Sequence, residues 1–418
     1  MVARVSPILR SWLAIALALI GGTAVAADPI RIAIIGPMGF IQGENQWRGA
    51  QLASDQINGK GGIQVGKEKR PIELIQVESN EMLSVSDATN AMERAITRNK
   101  ADFVIGGFRS EAVLAMQDVA MDYEKIFLGV GAAHGELGTR VKDDYDRYKY
   151  WFRVAPTKSA DLGKQIFAVL GTIAQELRSK LGHDKVRVAI LAERAVWADP
   201  IVQAAQQNLP KLGMEVVGTW RPSAVATDVT AELSAINRAN TDIIFTALSG
   251  PVGIVLGRQV GEMKLTAVPF GINVEAQKEG FWQATAGQAN YISTLDTYAP
   301  VAITEETLPF IEAFEKRFGE APAYTAATYD AIMLLRESIE ATGTIDADEL
   351  VAHMEKTTFR SAAGNLKFDE FHDPTWGPGF VTGLAVQWQD GKKVPFWPNG
   401  WQGVSYEGMQ ACRFPERK

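Results

Sequence analysis

Phe103–Gly107 (FVIGG) is an apolar, glycine-ended run, and Arg109 and Ser110 follow it where an apolar-periodic segment begins. A helix that starts directly after a strand presents unpaired backbone N–H groups, which can receive an anion. Ser110 can cap that helix with its hydroxyl, and the Arg109 guanidinium can clamp a carboxylate through two parallel hydrogen bonds. The plainer reading is a capped helix beside a solvated arginine. Trp47 and Trp197 could stack on a flat ligand. Trp47 lies on an apolar helical face, where core packing competes. Trp197 sits among Ala-Val and Ala-Asp before a proline, which favours exposure to a ligand. Residues 138–151 (GTRVKDDYDRYKYW) interleave Arg140, Lys142, Arg147 and Lys149 with three tyrosines and Trp151. That stretch reads either as a solvated excursion or as a basic, aromatic flap, in which Lys142 could form an imine with a reactive carbonyl.

Catalytic motifs are missing. Gly129–Gly135 (GVGAAHG) has the spacing G-x-G-x-x-x-G, not that of a dinucleotide loop. There is no G-x-S-x-G elbow and no H-E-x-x-H helix. Four scattered histidines (His134, His183, His353, His372) and the single Cys412 make no metal-ligand pattern and no internal disulfide. These features argue against an enzyme and against a bound metal.

The first 27 residues read as a signal peptide: Arg4 and Arg10, the apolar run Trp12–Ile20, then Val25 and Ala27 before Asp28. That run is far short of the ~20 residues a membrane span needs. No cysteine follows for lipid attachment, so a soluble, monomeric periplasmic protein is expected. The net charge of −7 becomes two units more negative when Arg4 and Arg10 are removed. An acidic chain is a poor partner for nucleic acid, whose phosphates need a basic face.

From Asp28 short apolar runs alternate with amphipathic ones. Strands are predicted at 31–36, 72–77, 102–106 and 126–130, and helices at 45–58, 86–98 and 110–123. The pattern restarts after Trp151–Val154, with strands at 185–192, 216–219, 242–247 and 266–271 and helices at 199–212, 229–239 and 252–263. Helices at 306–318, 325–342 and 346–357 and strands at 380–388 and 394–397 follow. Two consecutive β/α series predict an α/β fold of two doubly wound, parallel-sheet lobes. In such sheets ligands sit beyond the carboxyl ends of the strands. The loops containing Gln42, Arg109 with Ser110, Ala133 with His134, and Trp197 would therefore reach a cleft.

Several segments resemble the type I periplasmic binding proteins of the leucine/isoleucine/valine ABC importer family. They are IAIIGPMG with AQLASDQINGKGGI, the FVIGG strand, AYTAATYDAIMLLRESIEATG, and GNLKFDEFHD with His372 where the family has glycine. The resemblance implies two lobes that close on a ligand around a three-segment hinge, like a Venus flytrap. Lobe 1 is then 28–153 with 300–378, and lobe 2 is 154–299 with 379–418. It also implies an ABC permease as partner and no catalytic cofactor.

The same resemblance puts Tyr324 on the cleft wall and Trp197 in place of a tyrosine. Ala133 stands where amino-acid-binding members carry a hydroxyl, and Asn273 where they carry the acid that pairs the ligand ammonium. Glu275 lies two residues further on. These departures shift the expected ligand from a branched-chain amino acid to a planar, carboxylate-bearing compound. Pyrroloquinoline quinone is one candidate, since the cleft residues resemble that branch of the family. The other readings are amino-acid uptake, a ligand sensor for a membrane receptor, and an exported enzyme. Signal cleavage is checked by N-terminal sequencing of the protein from its host: the mature chain should begin at Asp28, and a chain still carrying Met1 would contradict it.

Overall fold

The computed structural model describes residues 28–181 and 185–416. The expected signal peptide and His183 lie outside them. Strand β1 (Ile30–Gly36) leads into helix α1 (Ile41–Asn58) and a short hairpin, β2 (Ile63–Val65) with β3 (Glu68–Arg70). Then come β4 (Ile72–Glu78), α2 (Val85–Thr97), β5 (Phe103–Gly106), α3 (Ser110–Asp122), β6 (Phe127–Val130) and β7 (Trp151–Ala155). The five long strands form one sheet in the order β4-β1-β5-β6-β7, all parallel. β5 and β6 are buried along their whole length, as strands covered on both faces must be.

Residues 138–151 are not a flap. They form α4 (Glu136–Asp143) and α5 (Tyr145–Tyr148) and lead straight into β7. Tyr148, Tyr150 and Trp151 are buried in the first core. The basic residues face outward into ion pairs, such as Arg147 with Asp122 at 2.9 Å and Lys149 with Asp348 at 2.7 Å. The aromatics had a core to fill, and the cations were left on the solvent side.

The second body begins with α6 (Ser159–Leu181). It continues through β8 (Val186–Ala192), α7 (Asp199–Asn208), β9 (Met214–Trp220), α8 (Thr230–Arg238), β10 (Ile243–Leu248), α9 (Val252–Glu262), β11 (Val268–Asn273) and α10 (Phe281–Ala284). Its sheet runs β11-β10-β8-β9, again parallel. An antiparallel set, β12 (Ser293–Asp296) with β15 (Leu384–Gln389) and β16 (Lys392–Trp397), completes it. The helix expected over 199–212 stops at Asn208, and a 3-10 turn, Pro210–Leu212, replaces its end. Pro210 has no N–H for the helical ladder.

Between β12 and β15 the chain returns to the first body. It forms α11 (Thr307–Phe318), α12 (Thr328–Thr342), α13 (Ala347–Met354), and the hairpin β13 (Thr358–Ser361) with β14 (Gly364–Lys367). The tail adds a small hairpin, β17 (Asn399–Trp401) with β18 (Val404–Ser405). The chain thus passes between bodies three times: after Ala155, after Asp296, and near Gly383. α1 lies close against the turn Tyr324–Ala327 because position 49 is glycine; a Cβ there would come within 2.3 Å of the Ala326 carbonyl oxygen. That contact sets where Tyr324 stands.

Arg153 of β7 pins the first passage. It is fully buried, pairs with Asp373 at 2.6 Å, and donates to the carbonyl oxygens of Ala132 and, at 2.8 Å, His134. Removing one partner of a buried ion pair strands the other in low dielectric. Arg153→Met should therefore lower unfolding free energy by about 3–5 kcal/mol, measured by urea denaturation. A change under ~1 kcal/mol would show that Asp373 relaxes onto Lys158, 3.4 Å away.

Candidate functional site

The carboxyl ends of the two sheets face each other across a cleft with a cavity volume of about 80 Å³. One buried water needs roughly 10–15 Å³ on this scale, so the space suits a small organic solute. The first body supplies Phe108, Arg109 and Ser110 from the β5–α3 loop, Gly131 and Ala133 after β6, and Tyr324. The second supplies Trp197, Ser249, Ile272, Val274 and Gln277. The floor is the hinge itself: Val154–Thr157, Asp296 with Thr297, and Val381 with Gly383. Phe108, Ala133 and Tyr324 belong to the same apolar cluster as Trp197, Ile272 and Val274, so the bodies are closed upon each other.

Four of the expected residues stand on this wall as read, and each is held by a partner. Arg109 is largely buried; its guanidinium bonds Glu111 (Nε to Oε1, 3.0 Å) and reaches across the cleft to 3.9 Å from Glu193. Trp197 is buried and donates its indole N–H to Glu193 at 3.0 Å. The Tyr324 hydroxyl donates to the Gly131 carbonyl at 3.1 Å. Gly131 has a φ of +146°, and a Cβ there would lie 2.2 Å from the Gly107 carbonyl oxygen. Ala133 lines the wall and accepts the Ser159 N–H at 2.7 Å, a backbone link from the first body to the start of α6.

Ser110 also lines the cleft, but not as an N-cap. Arg109 occupies the cap position of α3, and Ser110 is the first helical residue; its hydroxyl accepts the His134 N–H at 3.3 Å. His134 is half-buried, outside the lining, and burial holds its pKa below the usual value. Gln42 is not on the wall either. It is buried at the rim and donates across to Glu275 at 3.0 Å and to the Ser249 carbonyl at 3.4 Å.

Three expectations fail. Trp47 packs on the first core, as its apolar helical face allowed. Lys142 lies on the outer surface, paired with Glu370 at 2.8 Å and set over the Phe371 ring, so it can form no imine with a cleft ligand. Asn273 is buried but turned away from the cleft, donating to the Gly253 carbonyl at 3.1 Å. Side chains alternate along a strand, so its neighbours Ile272 and Val274 take the wall.

Sequence reasoning missed Glu81 and Asp296, and it placed Glu193 at the head of a cleft loop without giving it a role. Glu81, from the β4–α2 loop, is buried behind the wall. One of its oxygens accepts the N–H groups of both Phe108 (2.8 Å) and Arg109 (2.7 Å), and the other accepts the Ser79 hydroxyl at 2.9 Å. The anion receptor expected at this helix start therefore already holds an internal carboxylate. Burial pushes the Glu81 pKa up to about 7, against the pull of those donors. Glu193, at the end of β8, does the same in the second body: it accepts the N–H groups of Ser249 (2.7 Å) and Gly250 (3.0 Å), the Ser249 hydroxyl and the Trp197 indole. On the floor, Asp296 is buried against Lys393 at 2.9 Å. Burial raises its pKa and Lys393 opposes the rise. Gln277 donates to the Leu295 carbonyl at 2.8 Å and leaves its side-chain oxygen without a partner among the described residues. An acid just past a β-branched run, as in VAILAE, was the readable sign of Glu193.

Gln42 and its acceptors are the polar latch at the rim. Its bond to a carboxylate is of the kind that contributes about 1.5–3 kcal/mol. Gln42→Ala should open the ligand-free protein, seen as a larger radius of gyration in small-angle scattering with an unchanged far-UV spectrum. An unchanged radius would assign closure to the apolar wall alone.

A family profile described as periplasmic binding protein matches residues 29–392. The chain is similar to Leu/Ile/Val-binding protein homolog 7 of Brucella abortus, 20% identical over 91% of this chain and 94% of that one. Among solved structures it is similar to a branched-chain amino acid transporter substrate-binding protein of Streptococcus pneumoniae in complex with isoleucine (TM-score 0.73, 21% identity, 88% of this chain and 98% of that one). It is also similar to a solute-binding protein of an ABC transporter from R. palustris in complex with benzoate (TM-score 0.71, 19% identity, 91% and 99%). Among the described residues no helix is long and apolar enough to cross a membrane.

Proposed function

From the premise that the chain belongs to the periplasmic binding protein family, we propose that it serves an ABC importer by capturing a small, flat, largely apolar solute with one carboxylate. Its two lobes, joined at the three passages described above, then work as a monomer that docks on its permease after export. The observation that carries the ligand reading is the charge of the wall. Arg109 is the one cationic side chain among the described lining residues, and Phe108, Trp197 and Tyr324 give it aromatic surroundings.

An amino-acid ammonium finds no free acid in this cleft. Asp296 is taken by Lys393, Glu193 is surrounded by four donors, and Ile272 and Val274 occupy the wall beside Asn273. Burying a charge without a partner costs several kcal/mol. The same argument limits the anion: three carboxylates, as in pyrroloquinoline quinone, would share one guanidinium that already contacts Glu111. A benzoate-like acid fits the wall better than either.

Calorimetry with benzoate, 3,4-dihydroxybenzoate, leucine and pyrroloquinoline quinone in parallel tests the reading. Benzoate-type acids should bind, and Arg109→Ala should weaken them by roughly 10–100-fold, the equivalent of a lost charge-assisted hydrogen bond. Tight leucine binding with no response to aromatic acids would overturn it.

A further inference from the structure

The Glu81 carboxylate is buried behind the wall where it accepts the amides at the start of α3, and no part of the proposed capture mechanism uses it. Its donors are fixed by the backbone. The Phe108 and Arg109 N–H groups converge on a single oxygen at 2.8 and 2.7 Å, and Ser79 holds the other at 2.9 Å. Phe108 and Arg109 are also wall residues, so a ligand anion at Arg109 would lie next to this carboxylate. Two carboxylates sharing one low-dielectric site repel, and one of them gains a proton.

We propose that Glu81 sets the charge specificity of the cleft: its carboxylate holds the amide pair at the start of α3, and an anionic ligand binds with uptake of one proton by Glu81. The inference rests on the carboxylate reading given above and adds the residue that couples it to pH. The groups facing Glu81 are few. They are Ser79 at the end of β4, the amides and the Arg109 guanidinium at the start of α3, the Tyr324 hydroxyl, and, beyond Arg109, Glu193 of the other body. Burial, with the charges of Glu81 and Glu193, pushes the Tyr324 pKa far up, so it stays protonated. Another titratable group nearby is His134, behind Ser110, whose pKa burial holds below its ordinary value.

Glu81 holds its proton to about pH 7 in the folded protein, against an ordinary value of 4.5. Its contribution to stability is therefore present in full below 4.5 and is lost as the pH rises through 7. A ligand anion raises the Glu81 pKa further; uptake is small at about pH 6, where Glu81 already holds its proton, and approaches one proton per anion at about pH 8, so affinity falls by about tenfold between them.

Glu81→Gln tests this with little structural change. The amide oxygen can accept the same two N–H groups, and the amide nitrogen can donate to the Ser79 hydroxyl. Benzoate affinity is measured by calorimetry at about pH 6 and about pH 8 for the wild type, Glu81→Gln and a His134→Asn control, and melting temperature is followed without ligand over the same range. The wild type and the control should bind about tenfold more tightly at the lower pH, and Glu81→Gln should bind equally at both. Without ligand, the melting temperature of Glu81→Gln relative to wild type should rise with pH. Equal wild-type affinity at the two pH values overturns the proposal, as does pH dependence that survives Glu81→Gln or disappears in His134→Asn. If benzoate binds no variant at either pH, the carboxylate reading and the coupled uptake fall together. A flat melting difference then also removes Glu81 as a titrating group, whereas a rising one keeps that assignment apart from the failed ligand reading.

Discussion

Backbone N–H groups at the carboxyl ends of parallel strands have no partner within their sheet, and burying them unpaired is expensive. In both bodies of this protein the acceptor is a glutamate of the same chain. Glu81 takes the Phe108 and Arg109 amides, and Glu193 takes those of Ser249 and Gly250. Most of the cleft follows from that pair. The amides that would otherwise wait for a ligand are satisfied, which leaves a wall of apolar and aromatic side chains. Arg109 lies between the two acids and touches the second only at 3.9 Å. Its guanidinium, paired on its own side with Glu111, is the one cation on the described wall.

The contacts that hold the bodies together are few and sit at the edges. Gln42 reaches Glu275 at the rim, Ala133 accepts from Ser159 near the first passage, and Arg109 approaches Glu193 between the walls. Each body has its own buried sheet and its own core, and the two meet where the cleft-lining Phe108, Ala133 and Tyr324 of the first body join the core of the second. The polar contacts between the bodies are thus separate from the hydrogen bonds of either sheet.

The fold was legible because hydrophobic periodicity is local. The strands at 31–36, 72–77 and 242–247 and the helices between them could be read one segment at a time, and the structure differs from them by a few residues at the ends. Arg109, Ser110 and Trp197 could be assigned to the cleft because each follows a strand or opens a helix on that side, and Tyr324 was assigned there by the family resemblance; all four line the cavity. The failures share a cause. Asn273 was placed by position, and one residue along a strand reverses the face. Residues 138–151 were read either as a solvated excursion or as a flap, and Tyr148, Tyr150 and Trp151 instead fill a core that lay within their reach. Glu81 was passed over because its partners lie 27 and 28 residues away.

By itself, then, the sequence determined the two parallel-sheet bodies, the side on which a cleft would form, and several side chains at its mouth. These depend on runs, periods and glycine or proline breaks, whose energetics are settled within a few turns of chain. Only the tertiary structure decided which carboxylates fill the strand-end amides, which strand residue faces the cleft, and that Gln42 joins the lobes. Those outcomes depend on satisfying buried polar groups, and the partners come from segments that meet only when both bodies are folded and closed.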